Sequence, residues 1–476
     1  MSGMCVIGVA GLAVMGQNFA INFAEKGFMT AVYNRTTSKV DDCLIKARNE
    51  NVSNLHGFKN LSDFVNALEK PRKIVILIKA GSPVDQFIQL IIPYLDKGDL
   101  LIDAGNEWYK ESERRMKELS NKGFRYMAMG LSGGEDGARH GPSLMPGGSK
   151  ESYELIKDML KKVAAQSSAG PCVSYIGPQG AGNYVKMVHN GIEYGDMQLI
   201  SETYHLLKHC GNMSNNEIHE IFKKWNNGKL KSFLIEKTVQ IFQTKDSIHG
   251  GYLLDKVLDV AGSKGTGAWT VQEAVTRQVP CPTLIAALTS RYVSGYEELR
   301  KLSSSAYDST KSSTKQNGVN NLESFINDLE ESLYCSKICA YSQGLMLLSV
   351  ASKQENWNLD LGEISRTWMG GCIIQAEFLK EIREAYKANP QLQLLLLEKS
   401  FAEQIKRGVA AWRRVVQIGV ANGIYIPAFS SSLAYFDSLI TNQLCTNLIQ
   451  ALRDAFGAHG YYRNDVQGGP FHSSWS

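Results

Sequence analysis

The chain has 476 residues, of which 43% are apolar, and at roughly 150 residues per domain this length predicts two or three domains with real cores. The 51 Lys and Arg residues nearly balance the 47 Asp and Glu residues, and the net charge of +4 favours neither a nucleic-acid partner nor an acidic membrane surface. No apolar run approaches the ~20 residues of a membrane span, and we find no signal-peptide pattern.

Nine cysteines are scattered along the chain without a C-x-x-C pair. An odd number at such spacings predicts neither a disulfide framework nor a zinc site. Seven histidines show no metal-ligand spacing with Cys or Glu: His56, His140, His205, His209, His219, His249 and His472. We therefore expect a cytoplasmic protein in a reducing compartment, with no bound metal and no membrane partner.

The first part of the chain alternates short apolar strands with amphipathic helices, the pattern of βαβ units around a parallel sheet. The predicted strands are Cys5–Val9, Met29–Tyr33, Ile74–Ile78, Leu100–Asp103 and Tyr126–Met129. A Gly- and Pro-rich run from Pro171 to Asn183 follows, after which strand signals nearly vanish and helical periodicity persists. We predict a Rossmann-type α/β domain over residues 1–177 and a large all-α domain over residues 178–440.

Two further segments differ in composition from these domains. The polar run Ser303–Gly318 predicts a mobile loop between two helices. Residues 441–476 begin with a helical pattern and then become Gly-rich and aromatic, too irregular for a helix and too aromatic for a disordered tail. We expect this C-terminal tail to pack on a partner surface.

A glycine fingerprint directly follows the first strand and opens a helical pattern, in a G-x-A-x-x-G spacing. Gly11 permits a tight turn, Ala13 lets the backbone approach a pyrophosphate, and Gly16 allows close helix packing. The predicted dinucleotide loop comprises Gly11, Leu12, Ala13, Val14, Met15 and Gly16. The alternative, an ordinary strand-to-helix turn, is less consistent with the strand, helix and βαβ spacing.

The second strand ends without the acidic residue that binds the ribose diol of NAD. Asn34, Arg35 and Thr36 stand there instead, and Lys39 follows one helical turn later. An Asp at this point repels a 2′-phosphate, whereas Arg35 offers it a charged planar fork, so NADP is the expected cofactor. The alternative is a solvated surface arginine.

Two more loops are predicted at the carboxyl edge of the sheet, where open α/β sheets bind ligands. Ile78, Lys79 and Ala80 follow one strand, and Asn106 lies just after another. We expect backbone atoms of these loops to line the ribose and nicotinamide of the cofactor.

Just past the domain boundary, Lys186, His189, Asn190 and Glu193 stand at i, i+3, i+4 and i+7, on one face of a predicted helix. The flanking positions are mostly apolar, which predicts a buried helix whose polar stripe lines a cleft. A solvated face or a buried structural network remain alternatives. In a catalytic interpretation, burial and nearby positive charge lower the pKa of Lys186, which then acts as a base, and Glu193 serves as the acid.

Seven motifs in this order resemble the 6-phosphogluconate dehydrogenase family, over nearly the whole chain. They are G-L-A-V-M-G at Gly11–Gly16, Y-N-R-T at Tyr33–Thr36, L-S-G-G-E-D-G-A-R at Leu131–Arg139, G-P-S-L-M-P-G-G at Gly141–Gly148, K-M-V-H-N-G-I-E-Y at Lys186–Tyr194, G-S-K-G-T-G-A-W at Gly262–Trp269 and R-D-A-F-G-A-H at Arg453–His459. The resemblance implies an NADP-dependent oxidative decarboxylase of the pentose phosphate pathway and gluconate utilization.

The resemblance also implies a role for each matched residue. Lys186 is the general base for the C3 hydroxyl of the substrate. Glu193 is the acid that protonates C1 of the five-carbon product after CO2 leaves, and no metal ion is needed. The residues that hold the substrate carboxylate and hydroxyls are Asn106, Ser132, Gly133, Gly134, His189 and Asn190. The phosphate site comprises Tyr194, Lys264, Thr266 and Arg291, with Arg453 and His459 from the partner subunit's tail in a homodimer.

Two rival functions remain open from the sequence. Another β-hydroxyacid dehydrogenase, such as one that acts on 3-hydroxyisobutyrate, shares the dinucleotide domain and the lysine but does not need the phosphate cations. A non-catalytic NADP-binding sensor is expected to have lost Lys186 or Glu193, and both are present.

Overall fold

The computed structural model describes residues 4–307 and 319–475 and contains an α/β domain followed by a helical domain. The strands of the main sheet are β1 (Ile7–Ala10), β2 (Thr30–Tyr33), β3 (Leu55–Phe58), β4 (Lys73–Ile76), β5 (Leu100–Asp103), β6 (Arg125–Ser132) and β7 (Ser143–Gly148). Their order is β3-β2-β1-β4-β5-β6-β7, with every pairing parallel except that of β6 with β7. A hairpin of β8 (Gln166–Ser167) and β9 (Gly170–Pro171) follows.

Helices cover both faces of this sheet, and a separate apolar core lies on each side. They are α1 (Val14–Glu25), α2 (Ser38–Asn49), α3 (Leu61–Asn66), α4 (Ser82–Ile91), α5 (Tyr109–Asn121), α6 (Gly134–His140), α7 (Lys150–Glu154) and α8 (Lys157–Val163), with a 3₁₀ turn at Ile92–Tyr94. This is the doubly wound arrangement, which confirms the predicted Rossmann-type fold.

The second domain is built around two long helices that pack on each other, α9 (Ala181–His209) and α15 (Leu322–Gln354). The other helices are α10 (Asn215–Trp225), α11 (Phe233–Gln243), α12 (Thr266–Thr276), α13 (Pro282–Gly295), α14 (Glu297–Ala306), α16 (Leu361–Thr367), α17 (Leu379–Ala388), α18 (Lys399–Ala421), α19 (Pro427–Ile440) and α20 (Thr446–Gly457), with 3₁₀ turns at Leu253–Lys256 and Leu395–Leu397. In the described part of the chain no helix is both long and apolar enough to cross a bilayer.

The five predicted strands are confirmed, with ends that differ by up to three residues, whereas β3 and β7 are not predicted. Both are edge strands. The four residues of β3 include His56 and Gly57, and β7 contains Pro146 and two glycines. Glycine and proline are depleted in strands, so the composition of these two segments does not mark them as strands.

The loop predicted at Ser303–Gly318 is wrong in its first part, because Ser303–Ala306 is the last turn of α14. Glu297 and Glu298 in the first turn complement the helix dipole, and an ion pair of 2.8 Å from Lys301 to Glu297 supports the next turn. The rest of that loop, residues 308–318, lies outside the described residues. Helix α20 confirms the predicted helical start of the tail.

Helix α9 begins directly against the antiparallel edge of the sheet. A Cβ atom on Gly182 would lie 2.2 Å from the carbonyl oxygen of Ala128 and 2.3 Å from that of Met145, so only glycine permits this approach. The next turns of α9 therefore pass the carboxyl end of β6. This contact places the predicted polar stripe of α9 beside the loops of the dinucleotide domain.

Candidate active site

The dinucleotide loop joins β1 to α1 in the geometry that its glycines predict. Gly11 has a φ of +98°, and a Cβ on Gly16 would lie only 1.8 Å from the Gly11 carbonyl oxygen. The cap residue Ala13 supplies no side-chain hydrogen bond to the first turn of α1. The N-terminal amides of α1 are thus left for an anion such as a pyrophosphate, and this loop fits a dinucleotide.

The end of β2 presents positive charge next to this loop. Asn34 fixes the two together, because its Oδ1 accepts the Leu12 N–H over 2.9 Å and its Nδ2 donates to the Thr36 carbonyl over 3.0 Å. Arg35 and Thr36 are exposed, and Lys39 lies in the first turn of α2. No ion pair or hydrogen bond of the described residues engages the Arg35 or Lys39 side chains, so both are free to bind a 2′-phosphate.

The two carboxyl-edge loops lie side by side after β4 and β5. Ile78 and Ala80 are half-buried, whereas Lys79 and Asn106 are exposed at the mouth of the cleft. Asn106 therefore stands between the dinucleotide domain and α9, where both a cofactor and a substrate have access.

Lys186, His189 and Asn190 form one hydrogen-bonded group on α9. Lys186 Nζ donates to Asn190 Oδ1 over 2.8 Å, and Asn190 Nδ2 donates to Thr266 Oγ1 over 3.1 Å. Lys186 is only 5% exposed. Burial lowers the pKa of its amine to about 8, although the Glu193 carboxylate works in the opposite direction.

The hydrogen bonds of His189 define its tautomer. Nδ1 lies 2.9 Å from Asn190 Oδ1, an oxygen that only accepts, so Nδ1 carries the proton. Nε2 then accepts from the Ser132 hydroxyl over 3.2 Å, at the end of β6 and next to Gly133 and Gly134. Burial and the Lys186 charge hold the pKa of His189 well below its usual range, which keeps the ring neutral.

Glu193 lies one turn further along the same face. Its Oε2 is 3.9 Å from His189 Nδ1, and burial raises the pKa of its carboxyl while the Lys186 and Arg291 charges oppose this. Burial thus favours the uncharged amine and the uncharged carboxyl at once. The pair can accept a proton at one end of the stripe and donate one at the other.

The residues predicted to bind a phosphate are partly assembled at the end of this stripe. The Arg291 guanidinium stacks 3.5 Å from the Tyr194 ring centroid, and Nη1 donates to the Gly262 carbonyl over 2.8 Å. Thr266 is buried at the start of α12, and Lys264 is exposed in the loop before it. Within residues 4–307 and 319–475 no His, Cys, Asp or Glu cluster suitable for a metal ion occurs.

The single chain does not bring Arg453 and His459 into this group. Among the described residues, Arg453 bonds only to Gln450 in the same helix, over 3.3 Å, and the ring of His459 lies 5.9 Å from that of Phe456. The buried Asp454 holds the tail together by accepting from the Gly460 N–H, the Trp475 indole and the Ser473 N–H. The tail is therefore a locally folded unit that offers both residues to its surroundings.

Three residues that the sequence analysis did not select also belong to the site. Ser263 bonds with the Tyr194 hydroxyl over 3.2 Å, and Asn183 and Glu107 hold the loop around Asn106. Asn183 precedes Lys186 by three residues, so the same helical periodicity was a signal for it. The other two make contacts between segments far apart in sequence, which the sequence pattern does not reveal.

The Rossmann-type domain, the positive charge at the end of β2 and the buried lysine and carboxyl on α9 together define an NADP-dependent dehydrogenase of two-domain build. Two family models match the chain: "NAD binding domain of 6-phosphogluconate dehydrogenase" over residues 6–177 and "6-phosphogluconate dehydrogenase, C-terminal domain" over residues 182–475. The chain belongs to the 6-phosphogluconate dehydrogenase family.

Relatives and a solved structure agree with this assignment. The chain is 52% identical to "6-phosphogluconate dehydrogenase, decarboxylating 1" of Spinacia oleracea, with 98% of this chain and 97% of the relative covered. It is 47% identical to the NADP(+)-dependent decarboxylating enzyme of Bacillus subtilis, with 98% of each covered. The Plasmodium falciparum 6-phosphogluconate dehydrogenase has been solved in its apo form, with NADP+ and with 6-phosphogluconate. It superposes on this chain with a TM-score of 0.93 at 49% identity, and the match covers 99% of this chain and 100% of that chain.

Proposed function

We propose that the chain catalyses the oxidative decarboxylation of 6-phospho-D-gluconate to D-ribulose 5-phosphate and CO2, with reduction of NADP to NADPH. The observation that carries this function is the polar stripe on one face of α9, where Lys186 has a pKa lowered to about 8, His189 and Asn190 follow, and Glu193 has a raised pKa. A sugar acid needs such a base at its hydroxyl and such an acid at the carbon that loses CO2.

Lys186 begins the reaction as a neutral amine and removes the proton of the C3 hydroxyl. The dinucleotide loop, Arg35 and the Ile78–Ala80 turn would hold NADP, which would supply the acceptor for the hydride that leaves C3. The C3 carbonyl of the resulting β-keto acid then takes the electrons of the C1–C2 bond as CO2 departs. The Lys186 ammonium returns its proton to the C3 oxygen, which gives an enediol.

Glu193 completes the reaction by donating its proton to C1 of the enediol, while the neutral Lys186 amine takes the proton back from the oxygen that becomes the ketone. Burial raises the pKa of this carboxyl, which favours the protonated form that donates in this step. Asn106, Ser132, His189 and Asn190 are suited to bind the substrate carboxylate and hydroxyls, with the backbone of Gly133 and Gly134 beside them. A dianionic phosphate fits Arg291, Lys264, Thr266 and Tyr194 at the far end of the stripe.

The active unit in this proposal is a homodimer whose tails complete the sites in trans. Helix α20 carries an exposed apolar face comprising Leu448, Ile449, Leu452 and Phe456. A partner surface is the natural cover for such a face, and the same helix carries Arg453 toward an anionic substrate. This arrangement explains why Arg453 and His459 make only local contacts in one chain.

The proposed division of the chain is a dinucleotide domain of residues 1–177, a substrate and dimerisation domain of residues 178–440 and a tail of residues 441–476. The proposed compartment is the cytoplasm. Nine free cysteines, of which only Cys445 is exposed, support a reducing environment.

The test is the appearance of NADPH absorbance with 6-phosphogluconate and NADP as the sole substrates. Gluconate and 3-hydroxyisobutyrate serve as matched controls, because each lacks the phosphate. Turnover with 6-phosphogluconate alone supports the proposal. Equal turnover with 3-hydroxyisobutyrate contradicts it in favour of a general β-hydroxyacid dehydrogenase, and NADP binding without any turnover indicates a sensor.

A further inference from the structure

One loop of the dinucleotide domain contacts the turn after β4, the lysine helix α9 and helix α12. This loop, Gly105–Trp108, is named here the Glu107 loop, and it contains Asn106. The Glu107 side chain is buried at the centre of the loop, with 4% exposure, although its neighbour Asn106 is exposed. Burial of a carboxylate is costly unless several donors satisfy it, so its partners show what it holds in place.

Three donors converge on the Glu107 carboxylate. Oε2 accepts from the Gly81 N–H over 2.8 Å and from Arg115 Nη1 over 2.6 Å, while Oε1 accepts from the Trp108 N–H over 2.9 Å. The Gly81 amide ends the Ile78–Ala80 turn that we assign to the cofactor. Glu107 therefore ties this turn to the loop that carries Asn106.

Arg115 holds the backbone carbonyl of Gly81, the glycine whose N–H bonds to Glu107. Its Nη2 donates to the Gly81 carbonyl over 3.1 Å and to Asp85 Oδ2 over 2.9 Å, and its Nε donates to Asp85 Oδ1 over 2.8 Å. These hydrogen bonds lower the pKa of the Asp85 carboxyl to about 2, so the carboxylate stays charged opposite Arg115. Both backbone groups of Gly81 are thus fixed by one buried ionic network.

The opposite side of the Glu107 loop is attached to the helical domain. Asn183 Nδ2 on α9 donates to the Gly105 carbonyl over 3.3 Å and to the Glu107 carbonyl over 3.4 Å, on either side of Asn106. The Trp108 ring lies 5.7 Å from the Trp269 ring, on the helix that begins at Thr266. The loop is in contact with the cofactor turn, the lysine helix and the phosphate end together.

We propose that Glu107 is a positioning residue that aligns the nicotinamide side of the cofactor site with Lys186. The proposal rests on the proposed function and extends it. Glu107 does not touch the reacting atoms; it sets the distance between the Ile78–Ala80 turn, Asn106 and α9. Without the Glu107 carboxylate, the adenosine end of the cofactor still binds at Arg35. The Ile78–Ala80 turn beside the nicotinamide end is then no longer held in one position.

Glu107→Gln tests this idea because an amide has one oxygen where the carboxylate has two. Three donors then face one acceptor and an NH2 group, so at least one of them is left unpaired. The measurement compares the Kd of NADP with that of adenosine 2′,5′-bisphosphate, which has the 2′-phosphate but no nicotinamide. Glu118→Gln on α5, the helix that follows the loop, is the matched control, since in the described structure this exposed carboxylate pairs only with Arg114.

For Glu107→Gln we expect the NADP Kd to rise about tenfold, the adenosine bisphosphate Kd to change less than about twofold, and kcat with 6-phosphogluconate to fall about tenfold or more. Glu118→Gln leaves all three at wild-type values. Equal changes in the two Kd values, including no change in either, overturn the proposal. The ratio of Kd values remains informative if 6-phosphogluconate is not the substrate, so the two proposals fail separately.

If Glu107→Gln does not fold, Asn183→Ala tests the same proposal at the contact between the loop and α9. It removes the bonds to Gly105 and Glu107 and leaves the Gly81 network intact. We expect kcat at saturating NADP to fall about tenfold with an unchanged NADP Kd. A wild-type kcat in this variant overturns the proposed alignment.

Discussion

Lys186 Nζ donates to Asn190 Oδ1 over 2.8 Å, and the same oxygen lies 2.9 Å from His189 Nδ1. One amide on the next turn of the helix thus orients both the amine and the imidazole. Because the amine donates to Asn190, its lone pair is directed elsewhere when it is neutral. The side chain is held as a base before any substrate binds.

The pH dependence of turnover follows from the pKa of this amine. Only the neutral form accepts a proton, so kcat/KM falls as the pH drops below about 8. The Glu193 carboxylate stabilises the ammonium form and raises that pKa, so Glu193→Gln moves the acidic limb of the hydride-transfer rate to lower pH. Rapid-mixing measurements of the first turnover give this limb. An acidic limb that stays in place or moves to higher pH contradicts the pairing, and Glu118→Gln is the control.

Cofactor selectivity depends on Arg35 if the end of β2 binds the 2′-phosphate. Arg35→Ala removes a charge-assisted contact of about 2 kcal/mol, so the NADP Kd rises roughly 30-fold. NAD has no 2′-phosphate, so its Kd stays near the wild-type value. Arg48→Ala, at the exposed far end of α2, changes neither. Titration by cofactor fluorescence gives both constants, and a parallel loss for NADP and NAD counts against the assignment.

The approach of α9 to the sheet makes Gly182 intolerant of a side chain. Gly182→Ala forces the helix away from two backbone carbonyls and lowers the free energy of unfolding by about 1–3 kcal/mol. Gly295→Ala, whose added Cβ meets no atom within 4 Å, is the control. Urea unfolding followed by tryptophan fluorescence measures both. If Gly182→Ala is as stable as Gly295→Ala, the close contact described here is wrong.

Completion of the site in trans predicts complementation between two inactive variants. In a mixture of Lys186→Met and Arg453→Ala subunits, one of the two sites of each heterodimer has an intact lysine and an intact arginine. Some activity therefore returns after the subunits are dissociated and reassociated. Heterodimers that form without recovery show that Arg453 acts within its own chain, and a fully active monomer removes the need for a partner.

Periodicity and motif spacing predicted the parts of the site that lie within one element. Lys186, His189 and Asn190 stand on one face of α9 because helical geometry alone fixes their relation. The dinucleotide loop follows in the same way from Gly11 and Ala13 between β1 and α1 and from Gly16 in the first turn of α1. Neither requires knowledge of how distant segments meet.

The unpredicted parts depend on contacts between distant segments. Arg115 and Glu107 are eight residues apart, but Gly81 and Asp85 come from another βα unit, and no pattern in either segment points to the other. Strand β7 was missed because Pro146 and the two glycines after it are residues that are depleted in strands. Ser303–Ala306 was misassigned because its serines resemble a linker, although the charges of the preceding turns extend the helix.

The most direct test of the central claim is a stoichiometric assay with 6-phosphogluconate labelled with ¹³C at C1, using wild-type protein and Lys186→Met. The account predicts that wild-type protein releases one labelled CO2 for each NADPH formed, and that Lys186→Met forms neither while its NADP Kd stays within about twofold of wild type. NADPH formation without labelled CO2, or substantial turnover in Lys186→Met, contradicts it.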